Sequence, residues 1–538
     1  MSKCAVIHVE KNENILDFAR FLSESGWTIL SANKTEDLLK KEKIPVTREQ
    51  ALIENGLYLN DSSALIQRIL GADYKNINEQ DEKKSKDKSN IYLVCMNIMP
   101  SLAPNVSSQG ITSIANPQNF YISSILRSSF MNYQNVLILT DPADYKEAMI
   151  QLRTDNITKE FRLYLASKAL NLISAYDSGI YFSLQSNLDY TKDFPNYLSF
   201  PFVKQLPLHG GSNPQQNSCL YKFPNDTGAV SGFRKVSGKE LNYNIISDVS
   251  LAWEQISSLY ENLKNQYTVK SQNSEGYNFT TQFTPLTGIV FTIAIKYKSI
   301  LGAALSSNVH DSFMNTYKYD SNTIKDVTLG CSSVVDEAAA EEIVKGNFVA
   351  IVAPDFTPEA RQILSANKNI RLIPTAKISC SPYELELLNG GMLFQSKDSV
   401  IFDHWYVKTK NRPSQYLTDE MAFGMLLAMG ARSYSCVLLK NNTITGIAQA
   451  CKSAEKAVDY ALMDAKEMMQ REKSNDSAAD LIVCDSSVTL TDSIKELIDS
   501  GVKAIIQTGF TSGDDEFIDY CNKHEVVMIY TLMPHISY

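Results

Sequence analysis

Hydrophobic and polar positions along this chain follow two rhythms, one of period two and one of period 3.6, and their order predicts strands and helices taking turns. Near the start, CAVIHV is an apolar run of strand length, and NILDFARFLSESG repeats apolar residues at helical spacing until Gly26. WTILS is then a second strand and TEDLLKKEKI a second helix. After a charged run at 80–90, QDEKKSKDKSN, whose composition reads as a solvated loop, the pattern resumes with IYLVCMNI and NVLILTDP. Apolar strands separated by helices belong in a parallel sheet covered on both faces, so an α/β domain is expected at the N-terminus.

The segment DNITKEFRLYLASKALNLISAYDSGIYFSL opens with capping residue types at Asp155 and Asn156. It keeps helical spacing for roughly seven turns, which predicts a long helix leaving the first domain. LPLHGGSNPQQNS is composed for a turn-rich loop. Further on, FVAIVAPDFTPEARQILSANKNIRLI and LIVCDSSVTLTDSIKELIDSGVKAII both run strand, short polar loop, helix, strand, as two related layers would. GVKAIIQTGF and VVMIYTLMP are expected to be the strands that finish the last sheet.

Composition narrows the classes. At 538 residues the chain exceeds what one core usually serves, which argues for about three domains. With 44% hydrophobic and 21% charged residues it has the balance of a folded globular protein. The net charge is −9 and the lysines are spread, which argues against a nucleic-acid partner. The apolar run in MSKCAVIHVEKNEN is too short for a signal-peptide core, and no stretch reaches the length of a membrane span. Nine cysteines, odd in number and never in a CxxC, read as reduced thiols, so a cytoplasmic location with no membrane partner is expected. Six histidines without an HExxH give no reason to expect a metal.

Several blocks resemble, in order and spacing, those of the bifunctional AICAR transformylase/IMP cyclohydrolase family. AVIHVEKNENILDFARFL looks like its first strand and helix, and LVCMNIMP like its strand ending in Asn-Leu-Tyr-Pro. LTDPADYKEAM with FRLYLASKALNLISAYDSGI looks like the end of its cyclohydrolase domain. LHGGSNPQQ resembles its Arg-Tyr-Gly-x-Asn-Pro-His-Gln loop, AIKYKSILGAAL its Lys-His strand, and NGGMLFQSKD its Gly-Gly-x-Leu-x-Gln segment. AIIQTGFTSGDDEFIDYCNKHEVVMIYTLMPH resembles its last sheet.

The resemblance implies an α/β chain of three parts. Residues 1–200 would form a methylglyoxal-synthase-like parallel-sheet domain, and 201–375 and 376–538 two cytidine-deaminase-like α/β subdomains. It also implies a homodimer, or a dimer with a related subunit, whose transformylase sites lie at the interface. No cofactor would be covalently bound. The family passes a formyl group from 10-formyltetrahydrofolate, its co-substrate, to AICAR and then closes the product to IMP, so a purine nucleotide is the implied ligand.

Formyl transfer needs a proton relay on the amine and stabilisation of an oxyanion. The family's adjacent Lys and His fall here on Lys296 and Tyr297. A phenol is largely protonated near pH 7 and is a poor base there, and losing a general base typically costs ~10²–10⁴ in rate. The Arg-Tyr pair falls on His209 and Gly210, which removes a guanidinium fork suited to anions. Asn213 and Gln216 keep the family's identities.

The family's Ser-Asn becomes Ser433 and Tyr434, and its Phe-Gly-Gly becomes Lys325, Asp326 and Val327. Its Gly-Ile-Gly-Ala-Gly-Gln-x-Ser-Arg stretch reads Gly446 to Ala454, with two glycines replaced and the Arg gone. Asp485 is retained, but the aromatic residues after it become Ser487 and Val488, and a C-terminal Arg becomes Pro534. In the cyclohydrolase part the Ser-Thr-Gly-Gly-Thr phosphate loop reads Ser31, Ala32, Asn33, Lys34 and Thr35, keeping hydroxyls at its ends without the glycine backbone. The family's basic motif has no counterpart around Leu59 to Gly71, and Tyr of Asn-Leu-Tyr-Pro is Met99.

Each retained residue also has a structural reading. Lys296 is equally a surface lysine at a strand end, Asp485 a turn aspartate, Asn213 and Gln216 partners within their own loop, and Ser31 and Thr35 caps of the TEDLL helix. Three functions are compatible with the sequence: an inert or regulatory homologue, an active bifunctional enzyme, and an enzyme acting on a related nucleotide. Changes concentrated in ligand-facing loops over an intact frame favour the first.

Overall fold

The computed structural model describes residues 3–48, 62–70, 91–100, 117–185, 194–224, 235–263, 267–319, 325–375, 378, 381–473 and 476–537. The charged run at 80–90 lies outside them, as do 59–61 and 71 at the ends of the segment 59–71. The chain divides into two compact units, Met1–Lys204 with Tyr221–Asn225, and Gln205–Leu220 with Asp226–Tyr538. The architecture is mixed α/β, as the alternating pattern predicts.

In the first unit the elements run β1 (Cys4–His8), α1 (Ile15–Glu24), β2 (Thr28–Ser31), α2 (Asn33–Lys41), β3 (Thr47–Arg48), α3 (Ser62–Leu70), β4 (Ile91–Met96), α4 (Pro117–Met131), β5 (Leu137–Leu139), α5 (Tyr145–Arg153) and α6 (Lys159–Gln185). The five strands form one parallel sheet ordered β3-β2-β1-β4-β5. β1 is buried along its whole length because helices cover both faces. The apolar stripe Ile15, Phe18, Ala19 and Leu22 of α1 packs on one face, where Phe18 stacks on Tyr145 at 4.9 Å.

Two expectations need correction. The long helix forms, but it starts at Lys159: the Phe161 N–H donates to Thr158 Oγ1, so Thr158 is the cap, while Asp155 pairs with Lys3. α2 begins at Asn33, and its cap position is Ala32, which has no side chain able to bond. Ser31 and Thr35 therefore do not cap it.

Next along the chain β6 (Val203–Leu208) and β7 (Ser218–Lys222) form a two-stranded sheet, so Leu206 to Leu208 of the expected loop are strand and only 209–217 turn. The main body of the second unit follows as α7 (Tyr243–Leu263), β8 (Tyr267–Gln272), β9 (Asn278–Phe283), β10 (Val290–Lys296), β11 (Ser299–Ser306), α8 (Val309–Tyr319), β12 (Lys325–Cys331), α9 (Glu337–Ile343), β13 (Asn347–Ala353), α10 (Pro358–Ala366) and β14 (Arg371–Pro374). After β15 (Tyr383–Leu388), β16 (Gly391–Ser396) and β17 (His404–Val407) come α11 (Gln415–Gly430), β18 (Cys436–Lys440), β19 (Thr443–Ala448), α12 (Ala454–Glu472), β20 (Leu481–Cys484), α13 (Asp492–Asp499), β21 (Ala504–Gln507), α14 (Asp514–Lys523) and β22 (Val527–Tyr530).

Thirteen of these strands form one sheet, β14-β13-β12-β10-β11-β19-β18-β20-β21-β22-β17-β8-β9. The order contains a duplication: β10 to β14 with α7 to α10, and β18 to β22 with α11 to α14, repeat the same succession of elements and pair in the same antiparallel and parallel senses. The halves meet where β11 lies antiparallel to β19, with Ala304 opposite Thr443. The last sheet does not finish at β22, because β17, β8 and β9 extend it.

Strand alternation sorts the core. Phe291, Ile293 and Ile295 face α7 and α11, where Phe291 meets Phe423 of the other half edge to face at 5.6 Å. The intervening Val290 and Ala294 face the layer of α8, α9 and α10. Gly446, retained from the family stretch, is required by packing: a Cβ there would lie 2.2 Å from the Ala461 carbonyl oxygen of α12. Gly446→Ala is expected to cost about 1–3 kcal/mol through overpacking, read from urea denaturation. An unchanged midpoint would show that α12 yields freely.

Candidate functional site

The strand order of the first unit reverses between β1 and β4, and in open parallel sheets ligands bind beyond the carboxyl ends of the strands at such a point. Here that crevice is crossed by the chain's own bonds. Asn97, buried after β4, accepts the N–H groups of Glu10 at 2.8 Å and Lys11 at 3.0 Å, and Glu10 Oε2 accepts Met99 N–H at 3.0 Å. Thr35 Oγ1 accepts Val9 N–H at 3.1 Å and lies 3.3 Å from Val9 O, while Ser31 Oγ donates to Ile7 O at 2.8 Å. Both hydroxyls are buried and stitch β1 to its neighbours. At the end of β1, burial lowers the pKa of His8 below its ordinary 6.5, against a hydrogen bond to the Ala32 backbone that raises it.

In the second unit, Lys296 ends β10 and Tyr297 and Lys298 form the two-residue turn to β11. Both turn residues have left-handed φ, 51° and 59°, a conformation that such turns normally fill with Asn or Gly. Asp248 of α7 holds it, its two oxygens accepting Tyr297 N–H at 3.0 Å and Lys298 N–H at 2.7 Å. Burial pushes the Asp248 carboxyl up despite those bonds. The other half repeats the device: Asn441 and Asn442 turn with φ 53° and 57°, and Glu420 of α11 accepts Asn442 N–H at 2.6 Å. Tyr297 is 65% exposed, and Lys296 Nζ lies 5.8 Å from its ring centroid.

Ser433 and Asp485 come together. Asp485 is 1% exposed, and Oδ2 accepts Ser433 Oγ at 2.6 Å and Ser435 N–H at 3.1 Å while Oδ1 accepts Ser486 Oγ at 2.7 Å. The C-terminal segment closes over them. Ser433 exchanges bonds with Ser537, and His535 N–H donates to Asp485 O at 3.1 Å. The buried His535 ring lies between Asp398 Oδ2 at 2.6 Å and Ile401 O at 3.1 Å.

Asn213 and Gln216 bond each other in the exposed 209–217 turn, where Gln216 Oε1 accepts Asn213 N–H at 2.9 Å. His209 is exposed beside them. A cavity of about 430 Å3 opens nearby, lined by Leu208, Tyr243, Glu254, Lys298, Glu384 and Arg432 among others. None of the expected site residues lines it. Sequence reasoning missed Asp248, Asn97, Arg432 and His535. Asp248 did leave a signal, an acid inside the buried stripe Ile245, Ile246, Val249 and Ala252. Among the described residues no three His, Cys, Asp or Glu converge as metal ligands would, and no helix is long and apolar enough to cross a membrane.

A parallel-sheet unit with a laced crevice, followed by a duplicated unit with a turn-borne lysine and a serine–aspartate cluster, defines a two-unit α/β protein with a candidate ligand site in each unit. The chain belongs to the AICARFT/IMPCHase bienzyme family, whose sequence profile matches residues 130–464. It is a divergent member. It is 29% identical to the bifunctional purine biosynthesis protein PurH of Clostridium acetobutylicum and 28% to that of Brachyspira hyodysenteriae, each alignment covering 100% of both chains. The PurH of Petrotoga mobilis is 27% identical with the same coverage.

Two expected outcomes separate frame from site. Asp485→Asn puts an amide donor among three donors and should cost roughly 2–4 kcal/mol by urea denaturation, whereas Tyr297→Phe should stay within about 0.5 kcal/mol. Equal effects would contradict the structural role of Asp485. For His8, the folded pKa lies below the unfolded value, so acid protonates the unfolded chain preferentially and stability falls as pH drops below about 6.5. His8→Gln should flatten the decline in thermal midpoint between about pH 7 and pH 5; an undiminished slope would assign it to other groups.

Proposed function

We propose that this chain is a non-catalytic or regulatory relative of the purine bienzymes, with the frame of the formyltransferase and cyclohydrolase kept and their proton-transfer chemistry lost. The observation that carries this is the closure of Asp485: both carboxylate oxygens are taken by internal donors, so it has become part of the frame. The exposed phenol of Tyr297 in place of an imidazole supports the same reading, since a phenol is a poor base at neutral pH. So do Ser31 and Thr35, whose hydroxyls serve β1 instead of an anion.

On this reading residues 1–200 correspond to a methylglyoxal-synthase-like domain, and 201–375 and 376–538 to two cytidine-deaminase-like subdomains. The duplicated succession of elements fits the latter pair. The protein would be cytoplasmic and form a homodimer or pair with a related subunit. A retained ligand is the second reading, favoured by the cavity with Lys298 and Arg432 in its wall: a purine nucleotide could bind there and serve regulation, or an altered reaction on a related nucleotide. In the active alternative, 10-formyltetrahydrofolate would be the co-substrate.

Purified protein given AICAR and 10-formyltetrahydrofolate is expected to show no formyl transfer, and turnover near a typical enzyme rate would reject the proposal. Calorimetry with IMP and AICAR decides between the bare frame and the nucleotide-binding reading. The bare frame predicts no micromolar binding.

A further inference from the structure

A second cavity, of about 250 Å3, opens where the edge of the large sheet meets the start of α11. It shares no wall residue with the larger one. β9 is the outermost strand on this side and gives Phe279 to the wall, while Val407 of β17 and Pro413, just ahead of α11, add apolar surface. Arg412 lies over Phe279, its guanidinium carbon 4.9 Å from the ring centroid. Stacking steadies that exposed cation, and among the described residues no carboxylate pairs with it.

Two further features put donors around the same space. The first turns of α11 form part of the wall through Gln415 and Thr418. Ser414 Oγ accepts Leu417 N–H at 3.3 Å, which leaves the N–H groups of Gln415 and Tyr416 outside the helix's own bonding, and the first turn carries no acid. That end of a helix favours negative charge. Asp419, one turn on, accepts Thr284 N–H at 2.8 Å and Gln415 Nε2 at 3.0 Å and is not part of the wall.

The most buried wall residue is Trp405, at 0% exposure, and its indole N–H has no hydrogen-bond partner among the described residues. An indole nitrogen can only donate, and a buried one normally finds an acceptor. The wall hydroxyls of Thr281 and Thr418 are engaged elsewhere, with Ser271 Oγ at 2.6 Å and Ser414 O at 3.0 Å.

We infer that this cavity binds a small organic carboxylate, its oxygens accepting from Arg412, the first N–H groups of α11 and Trp405 Nε1, and its apolar body lying against Phe279, Val407 and Pro413. A guanidinium, a helix start and an orphaned donor all ask for an oxyanion. A bare phosphate would leave the apolar wall unused. The site is independent of the nucleotide reading of the larger cavity.

Benzoate is the probe. Titrating it into the full chain is expected to change tryptophan emission saturably, since Trp405 is one of three tryptophans. Trp405→Phe should abolish that change, and a signal that survives it would place the ligand elsewhere and overturn the site. Arg412→Ala, at an exposed position, is expected to weaken binding by roughly tenfold or more with an unchanged circular dichroism spectrum. Wild-type binding weaker than about 1 mM, or equal binding by Arg412→Ala, would overturn the site. Should Trp405→Phe not fold, Arg412→Ala decides alone. Inorganic phosphate is the competing arm: it should displace benzoate only at much higher concentration, and displacement at equal or lower concentration would overturn the carboxylate assignment.

Discussion

Asp248 and Glu420 occupy equivalent places on α7 and α11, and each spends a buried carboxylate on the backbone of a two-residue turn. The rest of the second unit depends on this arrangement. A left-handed Tyr-Lys or Asn-Asn pair is unfavourable unless its N–H groups are satisfied, and a buried carboxylate is costly unless it accepts such bonds. Each group solves the other's problem. With both turns pinned, the β10–β11 and β18–β19 hairpins are fixed against their helices, and their inner strands can meet. There Leu305 N–H donates to Asn442 O, and the Gln449 amide bonds both the N–H and the C=O of Ile300.

Much of the fold was legible because local periodicity encodes it. The parallel strands, the long helix and the two strand–loop–helix–strand blocks are all where the pattern puts them, with helix starts off by a few residues. Long-range pairing leaves no such mark. Nothing periodic ties Asp248 to Tyr297 forty-nine positions on, or Ser433 to Asp485 fifty-two positions on. The outer strands β17, β8 and β9 escaped for the same reason, since their place in the sheet is set by partners distant in sequence.

The candidate sites show why retained identity is weak guidance to retained chemistry. Gly446, Ser31, Thr35 and Asp485 all sit at positions carried over from a family of catalysts, yet each has a neighbour within its own unit that accounts for it. The Ala461 carbonyl admits nothing larger than Gly446, the β1 backbone uses the two hydroxyls, and a serine cage uses the carboxylate. Tyr297 and His209, where the family's residues have changed, are by contrast both exposed.

Thirteen strands in one sheet bring a geometric consequence. Neighbouring strands turn against each other by roughly 20–25°, and twelve successive steps accumulate to roughly two-thirds to five-sixths of a full revolution. β14 and β9, the outermost members, therefore look toward different quarters of the surroundings. Molecules approaching along one rim meet a different landscape from those arriving at the other, even though the halves between were cut from one template.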